Sequence, residues 1–325
     1  MEEKILVGDV GGTNARFALC DLQTGALSSY KTYSTSHFSS LELTVSDYLH
    51  DKELHIDKAC IAIACPVDGD QVHMTNHNWS FSTIKLKENL KFKMLEVIND
   101  FHANAMAIPT LQSSDLITIS DFKANKNKPI TILGAGTGLG VAHVLPWRGE
   151  WVTLPGEGGH VEFAACNDKE YEILKILHQE FGRVSVERIL SGPGVVNLYK
   201  AYMISENKMP NDFTPEEITG NAIRNECEDC HETLSLFCTI LGRFAGSLAL
   251  TFNSQGGVYI SGGIVPRFSE FLKASGFRKA FTEKGRFKRY VGDVPVHIVT
   301  HKHIGLLGAG AFLRQKLGLT LGPVS

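Results

Sequence analysis

The chain has 325 residues, 43% hydrophobic and 21% charged, which excludes a disordered or fibrous polypeptide and suits a soluble globular protein of two domains. Thirty-two Lys and Arg against 35 Asp and Glu leave a formal net charge of −3, so no basic footprint points to nucleic acid or to an anionic membrane. No apolar run approaches the roughly 18 residues of a spanning helix. Seven scattered cysteines fit reduced thiols in the cytoplasm, and the acidic start Met1-Glu2-Glu3-Lys4 does not resemble a signal peptide.

Three strands are predicted first: 5–10, 15–21 after a glycine turn, and 27–33 after Gln23-Thr24-Gly25. A helix over 38–50 puts Leu41, Val45, Tyr48 and Leu49 on one face. Residues 60–65 read as a buried strand stopped at Pro66, and 95–98 as another. Asn99-Asp100 then opens a helix over 101–108 that ends before Pro109. From residue 130 the pattern starts again, with a strand at 130–133, a glycine turn at 134–140 and a returning strand at 141–145. A turn at 147–149 leads to a strand at 150–154. Helices over 169–181, 194–204 and 226–252 follow, then strands 258–261 and 296–300, and a closing helix over 305–317. The repeated strand–glycine turn–strand predicts a duplicated α/β fold with a cleft between its halves.

Gly8-Asp9-Val10-Gly11-Gly12-Thr13-Asn14 concentrates three glycines, an acid and a hydroxyl in one tight turn. Glycines let backbone N–H groups approach a phosphate, Thr13 can hydrogen-bond a phosphate oxygen, and Asp9 can hold magnesium directly or through water. An ordinary hairpin turn would need neither the acid nor so many glycines. The second run, Gly134-Ala-Gly136-Thr137-Gly138-Leu-Gly140, has neither Gly-x-Gly-x-x-Gly spacing nor a following helix, so it is no dinucleotide fingerprint. Neither run contains Gly-Lys-Ser/Thr, which excludes a P-loop. Two such hairpins facing each other would clamp a nucleotide's phosphates. A third turn, Ser261-Gly262-Gly263, could let adenosine lie against the backbone or serve only as a strand-to-helix turn.

Six segments taken together resemble the bacterial ATP-dependent glucokinase family. They are Gly8-Asp-Val-Gly-Gly-Thr-Asn14, Ile98-Asn-Asp100, Gly134–Gly140, Leu154-Pro-Gly-Glu-Gly-Gly-His160, Ser191-Gly-Pro-Gly194 and Ile260-Ser-Gly-Gly-Ile-Val-Pro266, in order from about residue 4 to residue 317. The resemblance implies the two-domain actin-like ATPase (ribonuclease H-like) α/β fold, with the substrate cleft between domains. The small domain would be 1–110, with the helix at about 303–318 packed on it, and the large domain 111–302. The resemblance further implies ATP and Mg2+ as cofactors, glucose as substrate, Asp100 as catalytic base, and Asn99, Asp100, Glu157, His160 and Glu187 as holders of the sugar hydroxyls. Gly8–Thr13, Gly136–Gly138 and Gly262-Gly263 would bind ATP, and a cytoplasmic homodimer feeding glycolysis would carry out the reaction. Structural zinc is not expected, because the clustered cysteines of the repressor–kinase branch do not follow His160.

The residue types suit the chemistry, since a hexose presents several hydroxyls and this set supplies both donors and acceptors. Each also has a plainer use. Asp100 stands where a helix cap would, His160 lies in a glycine-rich loop, and Glu187 reads as a solvated helix residue or as a partner of Arg188. Cys227-Glu-Asp-Cys230-His231 matches a c-type haem attachment pattern, yet within a predicted helix it reads as buried or idle thiols. Three rivals remain. A sugar-sensing regulator would need a DNA-binding segment before residue 4, and a sugar-independent ATPase of the same superfold would lack the polar set. A kinase for mannose, fructose or glucosamine differs by one hydroxyl or amine.

Overall fold

In this computed structural model the described residues are 3–52, 55–75 and 77–322, so the acidic start at Met1 and Glu2 lies outside them. The chain forms two compact units. One comprises Met1–Asp115, Pro146–Pro155 and His301–Ser325, and the other Leu116–Leu145 and Gly156–Thr300.

The first unit opens with β1 (Lys4–Val10), β2 (Asn14–Asp21), β3 (Leu27–Ser34) and α1 (Leu41–Asp51), followed by β4 (Lys58–Ile63). A small antiparallel pair, β5 (Gln71–His73) and β6 (Ser80–Ser82), leads to α2 (Thr83–Asn89), β7 (Met94–Asn99) and α3 (Asp100–Ala107). The main sheet has the order β3-β2-β1-β4-β7, with β1, β4 and β7 parallel and β2 and β3 antiparallel. Side chains alternate across a strand, so Leu6, Phe17, Ile61 and Ile63 pack with Val45 and Tyr48 of α1 on one face. Ile5, Val7, Cys60 and Ala62 fill the other. Helix α1 starts at Leu41, later than the predicted 38, because the Ser40 hydroxyl takes the Leu43 N–H at 3.2 Å and caps it there.

The second unit contains β8 (Leu116–Ser120), β9 (Ile130–Ala135) and β10 (Leu139–Trp147); β11 (Glu150–Gly156) follows. Next come α4 (Asp168–Phe181), α5 (Gly192–Ser205), α6 (Pro215–Ile223) and α7 (Glu228–Phe252). The remaining elements are β12 (Gly257–Ser261), the short helices α8 (Ser269–Ala274), α9 (Phe277–Thr282) and α10 (Lys288–Gly292), and β13 (Val296–Val299). The strands run β10-β9-β12-β13-β8, with β12 parallel to both neighbours. Helix α6 was not predicted, although Thr214 and Glu217 form a full capping box and Pro215 occupies the first turn. Helix α7 is long and apolar enough to cross a membrane by length and composition, contrary to the expectation of no such run. It is a core helix, with 61% of its apolar window buried. Gly242 and Gly246 let α9 approach it, since a Cβ at either would meet the Phe277 or Phe281 carbonyl oxygen at 2.2 or 2.1 Å.

The chain ends in the first unit with α11 (Ile304–Lys316), whose Leu306, Ala309 and Leu313 complete the apolar layer against Ile5 and Val7. Its crossing with α3 is very close: a Cβ on Gly308 would lie 1.7 Å from the Ala103 carbonyl oxygen. Arg314 is buried, and its guanidinium donates to the Leu22 and Gln23 carbonyls at 2.9 and 2.7 Å. Gln315 exchanges two hydrogen bonds with the Trp151 backbone, which fastens the Pro146–Pro155 segment to this unit.

Candidate active site

In the first unit the register aligns Val10 with Ile63 and Ile63 with Asn99, so β1, β4 and β7 end level at their carboxyl edge. Ligands of α/β sheets bind at such edges. The Gly11–Thr13 turn and Asp100 both leave the sheet there. Gly11 N–H donates to the Asn14 carbonyl at 2.9 Å, and Thr35 secures the turn through its hydroxyl to Gly12 O (2.7 Å) and its N–H to Thr13 O (3.0 Å). Gly8 and Val10 lie inside β1 and are buried. A Cβ on Gly8 would press on Phe17 and Ile61 at 3.0–3.2 Å, so this glycine makes room for the core.

Asp9 sits opposite Arg16 across the β1–β2 pair, with Oδ2 3.5 Å from Nη1. Its carboxyl carbon would lie 2.8 Å from a Cβ at Gly305, so the first turn of α11 stands directly on it. Burial raises the Asp9 pKa, and the Arg16 charge and hydrogen bond pull it back only in part. The opposing guanidinium and the positive helix end favour an anion, while desolvation opposes one.

Asn99, not Asp100, caps α3. Its Oδ1 accepts from Phe101 N–H (2.9 Å) and His102 N–H (3.2 Å), and its Nδ2 donates to Cys65 O at 3.2 Å. Asp100 is the first helical residue. Its Oδ1 accepts from Asn99 Nδ2 (3.0 Å) and Phe101 N–H (2.9 Å), which fixes the carboxylate at the helix start.

In the second unit, β9 continues to Ala135 and β10 begins at Leu139, so the predicted 134–140 turn contracts to Gly136-Thr137-Gly138. Gly136 N–H donates to Gly138 O at 2.8 Å, and Gly136 O accepts from Gly192 N–H at 2.7 Å, where α5 begins. Thr137 is exposed at the tip. Gly262 has φ +92, and a Cβ there would lie 2.3 Å from Ala135 O, so only glycine lets this third turn sit against the second. Gly263 faces open space.

The sugar-assigned residues of this unit gather around the same turn. Glu187 Oε2 accepts the Leu139 N–H at 2.7 Å, and Oε1 lies 3.9 Å from His160 Nε2. His160 is half exposed at its side chain, and its N–H donates to Glu157 O at 3.0 Å. Gly159 lies against the Leu139 carbonyl with no room for a Cβ, which brings this loop onto β10. Phe163 N–H to Val184 O and Val186 N–H to Val161 O, each 2.9 Å, bind the His160 loop to the Glu187 loop. Ser191 Oγ donates to Glu187 O at 2.7 Å and caps α5 by accepting from Gly194 N–H. The sequence offered no sign of Arg16, Gly305 or the Leu139 amide as parts of these surroundings.

Two half-sites result. The first unit offers Asp9, the Gly11–Thr13 turn, Asn99 and Asp100; the second offers Gly136–Gly138, Gly262-Gly263, Glu157, His160 and Glu187. Backbone amides in tight glycine turns suit phosphate, and oriented carboxylates, an amide and an imidazole suit a polyhydroxylated substrate.

The chain matches the family model described as Glucokinase over residues 6–316. A glucokinase from Psychromonas ingrahamii is 55% identical over 321 residues, covering 99% of this chain and all of that one. The crystal structure of a glucokinase from an Antarctic psychrotroph superposes with a TM-score of 0.89 at 38% identity, covering 97% of this chain and all of that one. The ROK hexokinase from Thermus thermophilus, at 18% identity and a TM-score of 0.67 over 97% of this chain and all of that one, shares the fold, which is the mixed α/β actin-like ATPase fold. A match that runs through β1, both glycine turns and α11, at this identity, leaves no segment of the site outside it: the chain belongs to the glucokinase family.

Proposed function

We propose that this protein transfers the γ-phosphoryl group of ATP to the 6-hydroxyl of glucose, giving glucose 6-phosphate and ADP. The observation that carries the reading is the Asn99-Asp100 pair, held at the same sheet edge as the Gly11–Thr13 turn. Two donors to Oδ1 orient the Asp100 carboxylate, which accepts the hydroxyl proton as the phosphorus–oxygen bond forms. Phosphoryl transfer passes through a loose transition state, so positioning the hydroxyl matters more than a strong base. Asn99, Glu157, His160 and Glu187 are assigned to the other hydroxyls, and an unmatched buried group among them costs about 1–3 kcal/mol against a sugar lacking its partner.

The glycine turns are assigned to the phosphates, with Gly262-Gly263 beneath the adenosine. Asp9 would hold the magnesium ion, since it offers a hard carboxylate oxygen beside the Gly11–Thr13 turn and the cation would offset the desolvation that raises its pKa. Bound there, magnesium neutralises phosphate charge. Cytoplasmic location, a place at the entry to glycolysis and a homodimeric state complete the proposal.

The test is ATP-dependent phosphorylation across a panel of glucose, mannose, fructose and glucosamine with magnesium. Glucose turnover lost by at least about 100-fold in folded Asp100→Asn is the expected result. Asn99 remains to cap α3, so this variant should fold normally. Turnover of another hexose would change the substrate, and sugar-independent hydrolysis of ATP untouched by the substitution would overturn the proposal.

A further inference from the structure

Cys227 and Cys230 stand together at the head of α7. Cys227 does not lie within α7, as the sequence suggested, but caps it, and its Sγ accepts the Cys230 N–H at 3.4 Å. Residues three apart on the first helical turn face each other, and this spacing at a helix start is that of redox-active dithiols. The two sulfurs differ in access. Cys227 is half-buried at the edge of the core, whereas Cys230 is fully buried against Leu234 and Phe237. Burial first, and then the adjoining Cys227 thiol, push the Cys230 thiol up to about 12, so it rests as the protonated partner of the pair. Among the described residues no group of three His, Cys, Asp or Glu is arranged to hold a metal ion, and His231 packs edge-on against Phe271 at 5.1 Å.

We propose that Cys227 and Cys230 form a dithiol that small-molecule disulfides oxidise to an intramolecular disulfide at the head of α7. The Cys227 thiolate attacks one sulfur of the reagent, whose S–S bond breaks and releases one thiolate. The Cys230 sulfur then attacks Cys227 in the mixed disulfide, and its proton passes to the second thiolate as that thiolate is expelled. The dithiol loses two hydrogens and two electrons, and one reagent disulfide becomes two thiols. Cys227 is the attacking residue because it is the accessible one, and Cys230 is the resolving residue.

The experiment uses the full chain in a Cys166→Ser background, which removes the exposed thiol. The protein is incubated with oxidised glutathione, unfolded, alkylated with iodoacetamide and digested for mass spectrometry. The peptide carrying both cysteines is expected to carry neither alkyl group and to weigh two hydrogens less than its dithiol form, and dithiothreitol before alkylation should restore both alkyl groups. Cys230→Ser should stall with glutathione on Cys227, and Cys227→Ser should leave Cys230 fully alkylated. Kinase activity of the reduced variants equal to their parent checks folding, and the half-buried Cys227→Ser variant suffices if Cys230→Ser does not fold. Full alkylation of both cysteines after oxidation, glutathione retained on Cys227 beside a free Cys230, or loss of the Cys230 thiol in Cys227→Ser would each overturn the proposal.

Discussion

Glu187 and Leu139 are joined by a 2.7 Å hydrogen bond from the backbone N–H to Oε2, so an acid assigned to the sugar also anchors a turn assigned to phosphate. The same oxygen crowds Gly138, where a Cβ would come within 2.6 Å, and the other oxygen faces His160. Glu187→Ala is therefore expected to raise the KM for ATP as well as for glucose. A lost bond to a charged acceptor is worth about 1.5–3 kcal/mol, which corresponds to a drop in kcat/KM of roughly 10–100-fold. Glu187→Gln keeps an oxygen for Leu139 and should recover ATP binding more than glucose binding. Initial rates with both substrates varied decide the matter, and an effect on glucose alone would show that the anchor is not needed.

Local features of the fold were legible because their causes are local. The apolar runs of β1, β4 and β9 and the glycines between β1 and β2 and between β9 and β10 lie within a few residues of one another. Helix α6 was also open to reading through Thr214, Pro215 and Glu217, but Ile218 and Ala222 give too thin an apolar face to draw the eye. The choice between Asn99 and Asp100 as cap was not legible, since both side chains favour that position. It is settled by the Cys65 carbonyl, which holds the Asn99 amide from the bend after β4. Glu187 was found only through the resemblance, because its meaning lies in Leu139, 48 residues away, and no sequence window contains both. Asp9 was recognised in its loop, while the Arg16 and Gly305 that set its environment come from the sheet pairing and from the last helix.

Gly308 permits α3 and α11 to touch. A Cβ at this position would lie 1.7 Å from the Ala103 carbonyl oxygen and 2.4 Å from its carbon, and backbone on both sides leaves little to yield. Gly308→Ala is expected to cost roughly 3 kcal/mol of stability and to lower kcat by shifting α3, which begins at Asp100. Gly322→Ala, with open space around it, should change neither. Chemical denaturation and initial rates on both variants provide the check.

Asp9 illustrates a site held at the expense of stability. Burial raises its pKa despite Arg16, so the ionised form is less stable folded than unfolded. The sign is then fixed: as pH falls through the raised value the folded state gains, and at neutral pH the charge weakens it. Asp9→Asn should raise the stability of the ligand-free protein at pH 7 by about 1 kcal/mol and flatten its change over the acid range just above the ordinary carboxylate value. The same variant should lose most of its magnesium-dependent activity. A thermal melt that moves downward at pH 7 would mean that the Arg16 pair outweighs desolvation.

Buried His143 and half-buried His102 are expected to make the fold sensitive to acid. His143 stacks on Phe252 with ring centroids 3.5 Å apart and shares its Nδ1 with the Thr131 hydroxyl at 2.9 Å, and His102 meets Phe312 edge-on at 5.0 Å. Burial lowers both from 6.5 to about 4, because neither ring is charged readily away from water. Between those values the unfolded chain binds protons that the folded one does not, so stability falls as pH falls from 6.5 to about 4. Each histidine contributes on the order of 3 kcal/mol to that loss, which is a large share of an ordinary domain's margin. His143→Gln should keep a bond to Thr131, lose the stacked ring and remove about half of the slope. Urea unfolding at intervals across this pH range measures it, and a wild-type stability that stays flat down to pH 4.5 would show that the histidines titrate freely in the folded protein.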